Sequence, residues 1–194
     1  MSSKNSDTRE KIIESAAKLL LKTSGQGVRM ADIAKAAGVS RQAVYLHFPS
    51  RGELMIAAVR LLDDTHDLNE RLKDFREART GVEILESFVE FWGNYIPMIY
   101  GVAKALLAAR DTDEAVAAAW DDRMNSIRDG CRRTIETIEH EGLLSSEWNV
   151  EEAVDLMWTM LSIQNWERLT IDCGWTVDNY VERMKSFLKK GLLR

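Results

Sequence analysis

The chain has 194 residues, 45% of them apolar and 29% charged, with a formal net charge of −5. That balance describes a soluble globular protein, excludes a disordered chain and leaves room for one large domain or two small ones. The longest charge-free run, Phe91 to Ala103, is too short to span a bilayer and contains Gly, Asn and Pro, so the expectation is a cytoplasmic protein that does not engage a membrane.

The acidic total argues against nucleic acid only until it is divided. Residues 1–51 hold nine Lys/Arg and four Asp/Glu, a net of +5, whereas residues 52–194 hold 17 and 27, a net of −10. A basic head on an acidic body suits a protein that grips phosphate at one end. Chance asymmetry between solvated faces is the alternative. Two prolines against eight Met and six Trp predict long helices with adaptable cores. No Val/Ile/Thr alternation bounded by turn residues predicts a strand. Cys131 and Cys173 form no CxxC pair and read as reduced thiols. The polar N-terminus lacks a signal-peptide pattern.

In chain order, Asp7 and Glu10 have capping-box spacing and open a first helix to about Thr23, with Ile12, Ala16, Leu19 and Leu20 inward and Gly25 and Gly27 as its stop. In VRMADIAKAAGVSRQAVYLHFPSR, residues 28–51, Ile33, Ala34 and Ala37 give a second helix a small apolar face. Gly38 supplies a left-handed stop and Ser40 caps a third helix from Arg41 to His47, which buries Val44 and Phe48. Arg41, Gln42, Tyr45 and His47 stay on its open side. Two helices around a short glycine-containing turn make a helix-turn-helix, whose second helix can enter the DNA major groove; an ordinary helical hairpin is the alternative.

The residues Ile33-Ala34, Ala37-Gly38-Val39-Ser40, Tyr45, His47-Phe48, Ser50, Arg51 and Leu54, with Ile12, Ala16, Ala17 and Leu20 before them, resemble the N-terminal signature of the TetR family of bacterial transcriptional regulators. Members of that family usually carry Thr near the start of the second helix, where it caps the helix and touches phosphate. Here Arg29 and Met30 stand there, so that cap is expected to be lost and Arg29 to offer a phosphate a full charge.

Ser50 and Glu53 cap a fourth helix from Arg51 to about Phe75, whose N-terminus and Arg51 are both positive and together suit a phosphate. Val82, Leu85, Phe88, Val89 and Trp92 mark a fifth helix, which Pro97 interrupts to start a sixth through Arg110. Asp111 and Glu114 open a seventh to about Glu141, stopped by Gly142. Asn149 and Glu152 cap an eighth, Val150 to about Cys173, and Thr176 caps a ninth to about Lys190, with Gly191 beyond it. The expected fold is all-α with about nine helices. Residues 1–52 form a three-helix, helix-turn-helix DNA-binding domain, and residues 53–194 a helical ligand-binding and dimerisation domain.

The last two helices are apolar on more than one stripe, which a body of this size cannot hide, so they predict a homodimer; the resemblance implies the same interface. Two heads at a fixed separation then read a palindrome in double-stranded DNA. Trp92, Tyr95, Met98, Trp120, Met124 and Trp158, with Asn165 adding a polar group, are candidates to line an adaptable cavity, plain core packing being the alternative for any one of them. The resemblance implies that a small-molecule effector binds there and releases the heads from the operator. For DNA, Arg41 and Gln42 are placed for base edges, Ala43 for a thymine methyl, and Tyr45, His47, Ser40, Arg29 and Arg51 for the backbone.

His47, His66 and His140 are scattered, and no HExxH, GxSxG, Cys/His metal spacing or phosphate-binding glycine loop occurs, so no enzyme, cofactor or metal site is expected. The reading is a ligand-responsive regulator, most simply a repressor. The alternatives are a soluble small-molecule-binding protein whose head has lost its grip on DNA, and a DNA-binding regulator that senses nothing and depends on a protein partner.

Overall fold

A computed structural model describes residues 2–23 and 28–194. Gly25 and Gly27, the expected stop of the first helix, lie outside the described residues. Among the described residues there are eleven α-helices and one π-helical turn, with a single isolated antiparallel bridge, Leu144 to Leu193, and no strand. The chain divides into two compact units. One is Met1–Leu68 with Met98–Asp122, the other Asn69–Pro97 with Arg123–Arg194.

The first unit begins with α1 (Ser2–Lys22), α2 (Met30–Ala37), α3 (Arg41–His47) and α4 (Arg51–Thr65). Helix α1 starts before Asp7, and Ser6 rather than Asp7 bonds the Glu10 carboxylate. Its inward stripe, Ile12, Ile13, Ala16, Ala17 and Leu20, packs on α2 and α4, while Leu19 is only half-buried. The unit also takes in the C-terminal part of α7 (Gly81–Ala109) and the first residues of α8 (Glu114–His140). Two glycines permit this. A Cβ at Gly101 would lie 2.2 Å from the Leu20 carbonyl oxygen of α1, and one at Gly52 would lie 2.4 Å from the Asp113 carboxylate.

The second unit holds α5 (Leu68–Arg71) and α6 (Lys73–Glu77), the first part of α7, most of α8, then α9 (Val150–Met160), α10 (Ile163–Glu167), the π turn (Arg168–Asp172) and α11 (Val177–Leu192). Phe75 packs on Phe88 at 4.8 Å, with the Arg133 guanidinium on its ring at 4.7 Å. Gly130 admits the Phe88 ring and Gly93 admits Val181, each where a Cβ would collide. Leu85, Val89, Ile135, Met157, Tyr180 and Leu188 are buried.

Five further boundaries differ from those expected from the sequence. The helix expected from Arg51 to Phe75 breaks into α4, α5 and α6 around Asp67, whose φ of 49° is left-handed; a short polar side chain tolerates that conformation better than most. Pro97 does not end a helix. Helix α7 runs through it, because buried Ile96 and Ile99 hold the backbone on either side and outweigh one missing N–H. Helix α8 is capped by Asp113, whose carboxylate accepts from the N–H groups of Ala115 and Val116, and not by Asp111. The segment from Val150 to Cys173 breaks at Leu161–Ser162, where the Ser162 hydroxyl accepts from Asn165 and caps a new helix. Gly191 lies within α11.

Candidate functional site

The helix-turn-helix is built by local chemistry. Gly38 takes φ 69°, and its N–H closes α2 on the carbonyls of Ala34 and Lys35. The Ser40 hydroxyl accepts from the Ala43 N–H at 3.1 Å and starts α3. Val44 and Phe48, nearly inaccessible, fix the roll of α3, and Arg9 of α1 lies over the Phe48 ring at 4.9 Å. The face left outward carries Arg41, Gln42, Tyr45 and Leu46, all exposed, with Ala43 and His47 half-buried beside it.

The candidate DNA residues are placed as follows. Arg41 stands over the Tyr45 ring at 5.5 Å, so the two act as a pair one turn apart. Gln42 is exposed. Ser40 is exposed, with its hydroxyl engaged as the cap. Arg29 is the N-cap residue of α2, and its guanidinium bonds the Asp32 carboxylate at 3.0 and 3.2 Å while Asp32 also accepts from the Arg29 N–H. Half of a capping box therefore survives the loss of Thr. The Arg29 partner holds the Asp32 carboxyl below its usual range. Arg51 opens α4 behind the Ser50 cap, half-buried, with its Nε buried and lacking a hydrogen-bond partner; burial alone pulls its guanidinium pKa down.

The candidate effector residues do not all share a unit. Met98 and Trp120 belong to the first unit, and Trp92, Tyr95, Met124, Trp158 and Asn165 to the second. Trp92 and Tyr95 are buried and join Phe91 in one aromatic cluster, Phe91 stacking on Tyr95 at 5.4 Å. The Trp92 indole N–H donates to the Leu161 carbonyl. Burial pushes the Tyr95 hydroxyl up to about 12. Trp120 is buried, and Met98, Met124 and Trp158 are half-buried. The Asn165 amide donates to the Thr159 carbonyl at 2.7 Å, and that of Asn94 to Glu90 at 2.8 Å. Tyr180, on the apolar stripe of the last helix, has its hydroxyl buried without a hydrogen-bond partner. Leu46, absent from the expected DNA contacts, is outward too, as its four-residue step from Gln42 dictates.

Among the described residues no helix is long and apolar enough to cross a membrane, and no group of three or more His, Cys, Asp or Glu side chains could hold a metal.

The fold defines an all-α helix-turn-helix protein. Residues 12–58 match the model of the tetR family of bacterial regulatory proteins. Over 61 residues it is 43% identical to the HTH-type transcriptional regulator TtgR of Pseudomonas putida, a match covering 31% of this chain and 29% of that one. It is 27% identical over 166 residues to the HTH-type transcriptional regulator CymR of Pseudomonas putida, covering 80% and 75%. The chain thus spans about three-tenths of the length of the first curated relatives it matches. Both relatives are named as HTH-type transcriptional regulators. A candidate transcriptional regulator from Saccharomonospora viridis, solved in complex with choline, has the same fold, with a TM-score of 0.80 at 19% identity over 97% of this chain and 99% of that one.

Proposed function

We propose that this chain is a DNA-binding transcriptional repressor. It binds a palindromic operator as a homodimer through its last two large helical segments, and a small, largely apolar or aromatic effector releases it. Residues 1–52 do the gripping and residues 53–194 the sensing and pairing. The observation that carries the reading is α3: a capped, core-anchored helix that turns Arg41, Gln42 and Tyr45 to solvent in the basic part of the chain.

Arg41 and Gln42 hydrogen-bond base edges, and Ala43 lies beside them for a thymine methyl. Tyr45, His47, Ser40, Arg29 and Arg51 hold the phosphates. A phosphate competes with Asp32 for Arg29, an exchange that costs little because the pair is exposed. Half-buried Arg51 is the first residue of α4, at a helix amino end where an anion is favoured.

In the body, Trp92, Tyr95, Met124, Trp158 and Asn165, which share the second unit, are the residues we assign to the effector. Phe187 and Ile171, both 53% exposed, supply apolar surface on the segments assigned to pairing. Release requires the effector to prefer the non-binding arrangement by a coupling of about 1–3 kcal/mol or more. The small molecule bound by the Saccharomonospora viridis protein supports such a site by likeness of fold.

The test is selection from random duplex DNA with the purified full chain. Enrichment of an inverted repeat supports the reading, and a flat pool at low salt contradicts it.

A further inference from the structure

Leu46 is 79% exposed, the most exposed of the large apolar side chains among the described residues, and it sits on α3. Its neighbours Val44 and Phe48 fill the core, so α3 is already anchored without it. On the outward face the side chains pair one turn apart. Arg41 covers Tyr45, and Gln42 precedes Leu46 by four residues, about 6 Å along the axis. The face therefore sets a side-chain amide beside an isobutyl group. Against a duplex, phosphates offer nothing to an isobutyl group. The apolar feature of the major-groove floor is the C5-methyl of thymine.

We propose that Leu46 is a specificity-determining residue that packs on the C5-methyl of a thymine in the half-site. This rests on the reading of α3 as the recognition helix. With about 3.4 Å between base pairs, the step from Gln42 to Leu46 places that thymine one or two base pairs from the pair Gln42 addresses. Ala43 is half-buried and ends at Cβ, so Leu46 reaches farther into the groove.

The test uses the full chain and the sequence it selects, synthesised with thymine or with deoxyuridine in the half-sites. Deoxyuridine keeps every hydrogen-bonding edge and lacks only the methyl. The wild-type chain is expected to favour the thymine duplex. Leu46→Ala should lose about fourfold of that preference for each leucine–methyl contact, the worth of one methyl-sized group removed from water. The dependence on salt should stay unchanged, because no phosphate contact is touched. A wild-type chain indifferent to deoxyuridine overturns the assignment without recourse to any variant. So does a Leu46→Ala chain with the wild-type thymine-to-uridine ratio. If the wild type enriches no sequence at all, the proposed function fails rather than this contact.

Discussion

The indole N–H of Trp92 donates to the backbone carbonyl of Leu161, tying α7 to the break between α9 and α10. Both residues are buried. The break frees a carbonyl from helix pairing at the position where an aromatic donor arrives, so the hydrogen bond and the interruption at Ser162 explain each other. Trp92→Phe keeps an aromatic ring and deletes the donor. We expect a loss of about 1–3 kcal/mol in urea unfolding, the cost of a buried acceptor left without its partner. A variant as stable as the wild type would show that this carbonyl does not need the indole.

Base and phosphate contacts separate by their response to salt and sequence. Gln42→Ala should flatten the preference between the selected operator and single-base variants at one position, the penalty for the wrong base falling by about 1–3 kcal/mol. Arg51→Ala should weaken all sequences alike and lower the slope of log K against log salt by about 1. Both are read by fluorescence anisotropy over a salt series. If Gln42→Ala preserved the full preference, the assignment of Gln42 to a base edge would be lost.

Two helical glycines should respond to alanine with opposite signs. At Gly101 the new methyl meets the Leu20 carbonyl at 2.2 Å, and backbone gives way poorly, so Gly101→Ala should cost about 1–3 kcal/mol. At Gly191, inside α11, nothing lies within 4 Å, so Gly191→Ala should stabilise by roughly 0.5–1 kcal/mol through helix propensity alone. Calorimetric melting of the two variants tests the pair. Equal melting shifts would mean that the approach of α7 to α1 is looser than described.

Acid should destabilise the fold through a few identifiable carboxylates. Glu83 accepts from the N–H groups of Thr80 and Arg79 at the start of α7, Asp32 pairs with Arg29, and Glu151 pairs with Arg132; each is held below its ordinary value by those partners. A depressed folded pKa adds stability above the unfolded value, about 4, and that stability disappears as pH falls through the lower folded value. The urea midpoint should therefore hold from pH 7 to about 5 and drop below about 4. Glu83→Gln should make that drop shallower. An unchanged acid slope in Glu83→Gln would remove Glu83 from the explanation.

What was legible in the sequence was what local chemistry decides. Gly38, Ser40, Ser50, Asn149 and Thr176 each act at a helix end as their side chains require, so the bounds of α3 and the starts of α4, α9 and α11 were readable. The outward face of α3 was readable because Val44 and Phe48 fix its roll. Pro97 misled because burial of Ile96 and Ile99 overrides propensity, and Ser162 went unread as a cap inside an apolar run. The aromatic and methionine residues of the body were visible as a set. Which of them share a compact unit depends on how helices far apart in sequence pack, and no local pattern separates Met98 and Trp120 from Trp92 and Tyr95. The Arg29–Asp32 pair was hidden for a simpler reason: an arginine at an N-cap signals nothing until a carboxylate three residues on is seen to fold back.

The most direct measurement is sedimentation equilibrium of the purified chain with a duplex carrying the selected site, at moderate salt. A complex with the mass of at least two chains, in even number, on one duplex is the expected result. Free duplex beside a monomeric chain would contradict it.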